Sequence, residues 1–166
     1  FRREVPEDEY GLIESKRLLG EALGFDQNYA DAYALLSQVN TWEHFHSARP
    51  EDGAAAKQAF ERAFALDPQL PEAQLARGLH ATYVSKDLDQ ALADLAAVVK
   101  SRPNSAEAHW VLGLALRRNG RMDEALGHLA LACELDPLNT SYANGAYVTL
   151  KGLRRLPEAI AQIDLW

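Results

Sequence analysis

Glu43, His44 and His46 are the densest group of metal-ligating side chains in the sequence, and coordination of a divalent cation is the chemistry they could do. The spacing works against it. On a helix residues i and i+2 point apart, so a His-x-His pair does not aim two nitrogens at one ion. A zinc site takes four ligands, and no third and fourth ligand stand nearby in sequence. No metal site is expected. Asp87 and Asp89 resemble half of a calcium loop but lack the glycine and the closing glutamate at the right offset; Asp87 is expected to cap a helix instead. Cys133 is the single cysteine, which excludes an internal disulfide, and between Ala132 and Glu134 it reads as a small packed residue. A P-loop, GxGxxG, GxSxG, HExxH and paired CxxC are all missing from the sequence. The chain is therefore expected to carry no catalysis and no cofactor.

The residues that recur do so for structural reasons. Pro68, Pro103 and Pro137 each close a stretch built alike, at spacings of 35 and 34 residues. Upstream of each stand a small residue (Ala56, Ala91, Ala125), a large apolar one (Phe60, Leu95, Leu129) and a small or β-branched one (Ala63, Val98, Ala132). A fixed period in this range means stacked supersecondary units. In 106–119 the set His109, Leu112, Gly113, Leu116 falls at i, i+3, i+4, i+7, one face of a helix. Asn104 with Glu107 reads as a capping box, Asp123 and Glu124 suit the positive end of the next helix, and Pro137 ends it. Each unit is thus two helices.

The copy at 106–139 resembles the tetratricopeptide (TPR) repeat, with His109, Leu112-Gly113, Leu116, Ala125, Leu129, Ala132 and Pro137 at the signature places. Three of the signature's aromatics are His or Leu here; the small residues and the proline are kept. The resemblance implies an all-α, right-handed superhelix of antiparallel helix pairs, about 8 to 9 helices, in a single domain over residues 1–166. Its parts are the second helix of a partial repeat (7–27), repeat one (30–70) with an inserted loop at 43–53, repeat two (72–105), repeat three (106–139) and a truncated repeat four (140–166). An extra residue placed in the loop Gln69-Leu70-Pro71 turns Leu75 and Leu79 inward and Arg77 outward. The insertion is expected to lengthen the first helix of repeat one and add a loop ending in Pro50, with Asp52 capping the next helix.

Composition agrees. Apolar residues make up 48 %, much of it Ala and Leu, with no strand-like alternation. The formal net charge of −7 argues against nucleic acid as a partner. No run of 18 apolar residues exists, so no membrane span is expected, and a lone cysteine is compatible with a reducing, cytoplasmic setting. The chain starts at Phe1, half-way through a repeat, and reads as a piece of a longer protein whose targeting signals lie elsewhere.

By the resemblance, the first helix of each repeat lines a concave groove. The positions that fall there include Gln38 and Thr41, then His80 and Tyr83, then Trp110, Leu114, Arg117 and Arg118, then Asn144, Val148 and Lys151. Trp, Tyr and Arg dominate binding hot spots, and Arg takes carboxylates bidentately. An exposed Trp110 beside Leu114, with Arg one turn on, is expected to anchor an extended or helical peptide with acidic and apolar side chains. The places that hold the Lys and Asn set of chaperone-tail clamps are here mostly Ala, Gln, Trp and Leu, so a chaperone tail is not expected. Trp42, His44, Phe45 and His46, in the insertion, form a second expected partner surface. The function expected is a non-catalytic interaction module or scaffold. The alternative is a regulatory or dimerisation segment of a larger bacterial signalling protein of cyclase, kinase or winged-helix type, self-associating through helix ends at Leu12–Leu19 or Ile160–Trp166. A metal-binding or enzymatic domain is the remote alternative.

Overall fold

The computed structural model describes residues 7–155, 157 and 158, and the side chains from residue 11 onward. The expected self-association segment Ile160–Trp166 lies outside the described residues. Within them the chain is eight α-helices and no strand: α1 (Glu7–Phe25), α2 (Ala30–Ser47), α3 (Pro50–Leu66), α4 (Pro71–His80), α5 (Leu88–Ser101), α6 (Ala106–Arg118), α7 (Met122–Leu135) and α8 (Thr140–Gly152). A π-helical turn, Ala81–Ser85, prolongs α4. The described residues fall into two compact units, one up to Lys86 and one from Asp87 onward.

In unit 1, α2 packs on α1, on α3 and on α4. Leu19 of α1 meets Ala32 and Val39 of α2, with Leu12, Leu23 and Leu36 around them. On the other side of α2, Ala34 packs with Ala63, Leu70 and Ala73. The inserted loop expected at 43–53 is almost wholly helical: α2 runs to Ser47, α3 starts at Pro50, and only Ala48 and Arg49 lie between. Pro50 stands at the first helical position, where its missing N–H costs nothing. Arg49, not Asp52, is the N-cap residue. Asp52 is buried inside the first turn, where Ser47 Oγ and Arg49 Nε donate to its Oδ2, each at 2.9 Å. It staples the corner between the two helices rather than capping one. The guanidinium of Arg77 reaches out over the Phe64 ring at 4.7 Å, while Leu75 and Leu79 are buried.

In unit 2, α6 packs on α5, α7 and α8, and α7 packs on α8. The Asp87 side chain accepts from the Gln90 N–H and caps α5, as its position predicts. The N-cap of α6 is Ser105, which accepts from the Ala108 N–H; the expected Asn104 is one residue too early. The recurring triplets explain the pairing. Ala56, Phe60 and Ala63, Ala91, Leu95 and Val98, and Ala125, Leu129 and Ala132 are all buried. The small members let backbones approach and the large one fills the space between. Gly113 shows how close the approach is: a Cβ there would come within 2.6 Å of Leu129 Cγ.

Candidate functional site

In unit 1 the insertion builds an aromatic corner. The longer α2 carries Trp42 and Phe45 to the π-helical turn, and Tyr83 of that turn lies 5.0 Å from each ring. Trp42 and Phe45 meet edge-on at 6.0 Å, and His46 stands 5.3 Å from Phe45. The rings pack on one another, leaving Phe45 and His46 as the exposed rim. The three side chains first considered as metal ligands diverge. Glu43 pairs with Lys16 of α1, His44 Nδ1–H donates to the Arg49 carbonyl at 2.7 Å, and His46 lies on Phe45. Among the described residues no three His, Cys, Asp or Glu side chains converge on a common point.

The groove positions expected in unit 1 are not available to a partner. Thr41 is fully buried, and its hydroxyl donates to the Ser37 carbonyl at 2.9 Å. Gln38 and Tyr83 are buried as well. His80 is buried, edge-on to Phe60 at 5.3 Å. Burial pushes its pKa below the usual histidine range; a hydrogen bond to the Gly53 carbonyl opposes this, and Lys57 and His44 reinforce it. The reason is the close approach of α2 to α4: at Ala34 and Ala73, with no side chain beyond a methyl, the helices come together and cover the face between them.

In unit 2 Trp110, expected as an exposed anchor, packs partly against α8. Trp110 is half-buried, and its indole lies 5.3 Å from Tyr142 and over Gly145, where an added Cβ would meet its Nε1 at 3.2 Å. Leu114 is buried. Arg117 Nη1 donates to the Gly145 carbonyl at 3.4 Å. Trp110 and Arg117 therefore clasp α8 to α6. Burial, with Glu107 and Asp136 adding to it, pushes the Tyr142 hydroxyl up to about 12.

What faces outward is a stripe on α8. Asn144, Val148 and Lys151 are exposed at i, i+4 and i+7, with the Lys151 ammonium 5.3 Å from the Tyr147 ring centre. Arg118 is exposed at the end of α6, and Arg117 is half-covered. Arg121 forks onto Glu124 and Arg155 onto Glu158.

One pair of side chains was not singled out in the sequence. His109 of α6 and His128 of α7 stack at 5.1 Å, with their Nδ1 atoms 2.9 Å apart. His109 stands at a signature aromatic place, so its burial was legible. Its partner, 19 residues on, was not.

The tetratricopeptide repeat family matches residues 83–140. No curated protein matches the chain. Among solved structures, MamA 41-end from Desulfovibrio magneticus RS-1 is 22 % identical with a TM-score of 0.62, over 92 % of this chain and 82 % of that one. PilF of Pseudomonas aeruginosa is 21 % identical with a TM-score of 0.64, over 95 % and 68 %. YrrB, described as a TPR protein with an unusual peptide-binding site, is 24 % identical with a TM-score of 0.60, over 94 % and 76 %. At these identities the likeness carries the fold.

Proposed function

We propose that this chain, a TPR-like helical-repeat domain, is a non-catalytic protein-interaction module whose second unit takes a peptide with acidic and apolar side chains. The observation that carries this reading is the exposed α8 stripe of Asn144, Val148 and Lys151, on a helix that Arg117 of α6 reaches at the Gly145 carbonyl, with Arg118 exposed at the end of α6. It offers an apolar contact flanked by cations, in a chain whose net charge is −7. An acidic peptide meets local attraction there, and Asn144 can bond a peptide backbone. That YrrB has a peptide-binding site on a similar fold supports the class of ligand. In unit 1 the rim of Phe45 and His46 is a second contact region.

Peptide display against the immobilised protein tests this. Enrichment of peptides that alternate acidic and apolar residues is expected, and Arg118→Glu/Lys151→Glu, with its helical signal intact, should abolish it. Enrichment of basic peptides, or of the same peptides by the charge-reversed variant, would overturn the proposal. A second reading, self-association, is favoured by Ile13 and Leu18, which leave half of their surface exposed on α1. Sedimentation of the wild type against Ile13→Asp/Leu18→Asp reads it directly: a dimer that the variant loses supports it, and a monomer at all concentrations refutes it.

A further inference from the structure

We propose that His109 and His128 form a proton latch between α6 and α7, which stays closed through the uptake of one proton and opens on the uptake of a second. This rests on unit 2 alone and not on its reading as a peptide surface.

Heavy-atom geometry assigns the hydrogens. His109 Nε2 lies 2.9 Å from the Pro103 carbonyl oxygen, and a carbonyl only accepts, so Nε2 carries a hydrogen. In the neutral imidazole Nδ1 of His109 then holds a lone pair. The atom facing it at 2.9 Å is Nδ1 of His128, which must be the donor. His128 therefore has its hydrogen on Nδ1 and a lone pair on Nε2.

One proton can enter without moving a ring. It binds the Nε2 lone pair of His128, which is only half-buried, and the bridging hydrogen passes from His128 Nδ1 to His109 Nδ1. His109 is then an imidazolium with both N–H groups satisfied, one by the Pro103 carbonyl and one by His128. A second proton must take the last lone pair, Nδ1 of His128. That sets two N–H groups and two cations face to face across 2.9 Å, an arrangement that cannot persist. Burial and the charge of His109 oppose protonation of His128, while Glu124, one turn earlier on α7, favours it.

On the pair's own helices, α7 carries Asp123, Glu124 and Glu134, and α6 ends in Arg117 and Arg118. On α6 Glu107 lies in the first turn, and Arg102 precedes Pro103 in the α5–α6 connection. Asp89, Asp94 and Lys100 belong to α5, and the one charge of α8, Lys151, is in its last turn. Opening the latch would part α7 from α6, while His109 Nε2–H keeps its bond to the Pro103 carbonyl.

The test is nitrogen-detected imidazole NMR on the full chain from about pH 8 to about pH 4, across the histidine range. At neutral pH His109 should be the Nε2–H tautomer and His128 the Nδ1–H tautomer. The two rings should then titrate in shared, coupled steps, with contacts between Gly113 and Leu129 surviving the first and vanishing at the second. An Nε2–H tautomer for His128 at neutral pH, independent titrations, or loss of those contacts with the first proton would overturn the latch. As a second measurement, His128→Gln keeps a donor toward His109 but cannot titrate. Its melting temperature should fall between neutral and acid pH by several degrees less than that of the wild type, and an equal fall would count against the proposal. If the variant does not fold, the wild-type titration alone decides.

Discussion

Within unit 2, Leu129 touches both glycines at which neighbouring helices come closest. An added Cβ at Gly113 would lie 2.6 Å from its Cγ, and one at Gly145 would lie 3.1 Å from its Cδ2. Fully buried at 0 % exposure, it fills the space those residues leave open. Truncation to Ala should cost about 2–5 kcal/mol. Gly113→Ala should destabilise the wild type, because the methyl group meets Leu129. In the Leu129→Ala background the two closest contacts are gone and only the Ala125 carbonyl oxygen, 3.2 Å away, still crowds the methyl, so the same change should cost clearly less than in the wild type. Urea unfolding of the four proteins gives the coupling, and the same effect of Gly113→Ala in both backgrounds would refute the contact. The sequence showed that position 113 is small. It could not show which side chain presses on it, because that depends on how far two helices approach.

Helix ends are where local chemistry was read best, and also where it went wrong by a residue. Asp87 caps α5 with its side chain on the Gln90 N–H at 3.1 Å. Asp87→Ala should cost about 1 kcal/mol and speed hydrogen exchange at Gln90 first. Exchange at Gln90 that matches the wild type would show that the cap does not hold the first turn. Asp52 offers the same residue type after the same kind of turn, yet it sits within α3 and binds Ser47 and Arg49. The difference is that α2 runs on to Ser47, so little connecting chain is left and α3 begins early. The insertion lengthens the first helix as the sequence predicts but leaves far less loop than expected, and this brings Trp42 and Phe45 to Tyr83.

For the molecule as a whole, acid should weaken both units. His80 in unit 1 and His128 in unit 2 are each held below the ordinary histidine range, with burial the largest cause. A histidine whose folded pKa lies below its unfolded value binds more protons when unfolded. Its contribution is therefore intact above the unfolded value near 6.5 and lost as pH falls from there toward the folded pKa. Stability measured with denaturant should drop between about pH 7.5 and about pH 5. His80→Phe, which keeps the ring against Phe60, should remove the unit 1 share of that drop. Stability that rises or stays flat on acidification would contradict the burial of both rings.

The sequence by itself determined the all-α architecture and the repeat that pairs the helices. It also placed the triplets such as Ala125, Leu129 and Ala132 in the core. These follow from side-chain periodicity along one helix, from proline geometry and from the need of each pair to bury a face, all of which are local. The tertiary structure alone decided which outward-reading residues stay outside. Thr41, His80 and Leu114 are covered and Trp110 is half-covered, whereas Val148 and Lys151 remain exposed. It alone also placed His109 against His128. Exposure and pairing of this kind depend on which neighbouring helix covers a face and how closely its small residues let it come, and no spacing within a single helix encodes that distance.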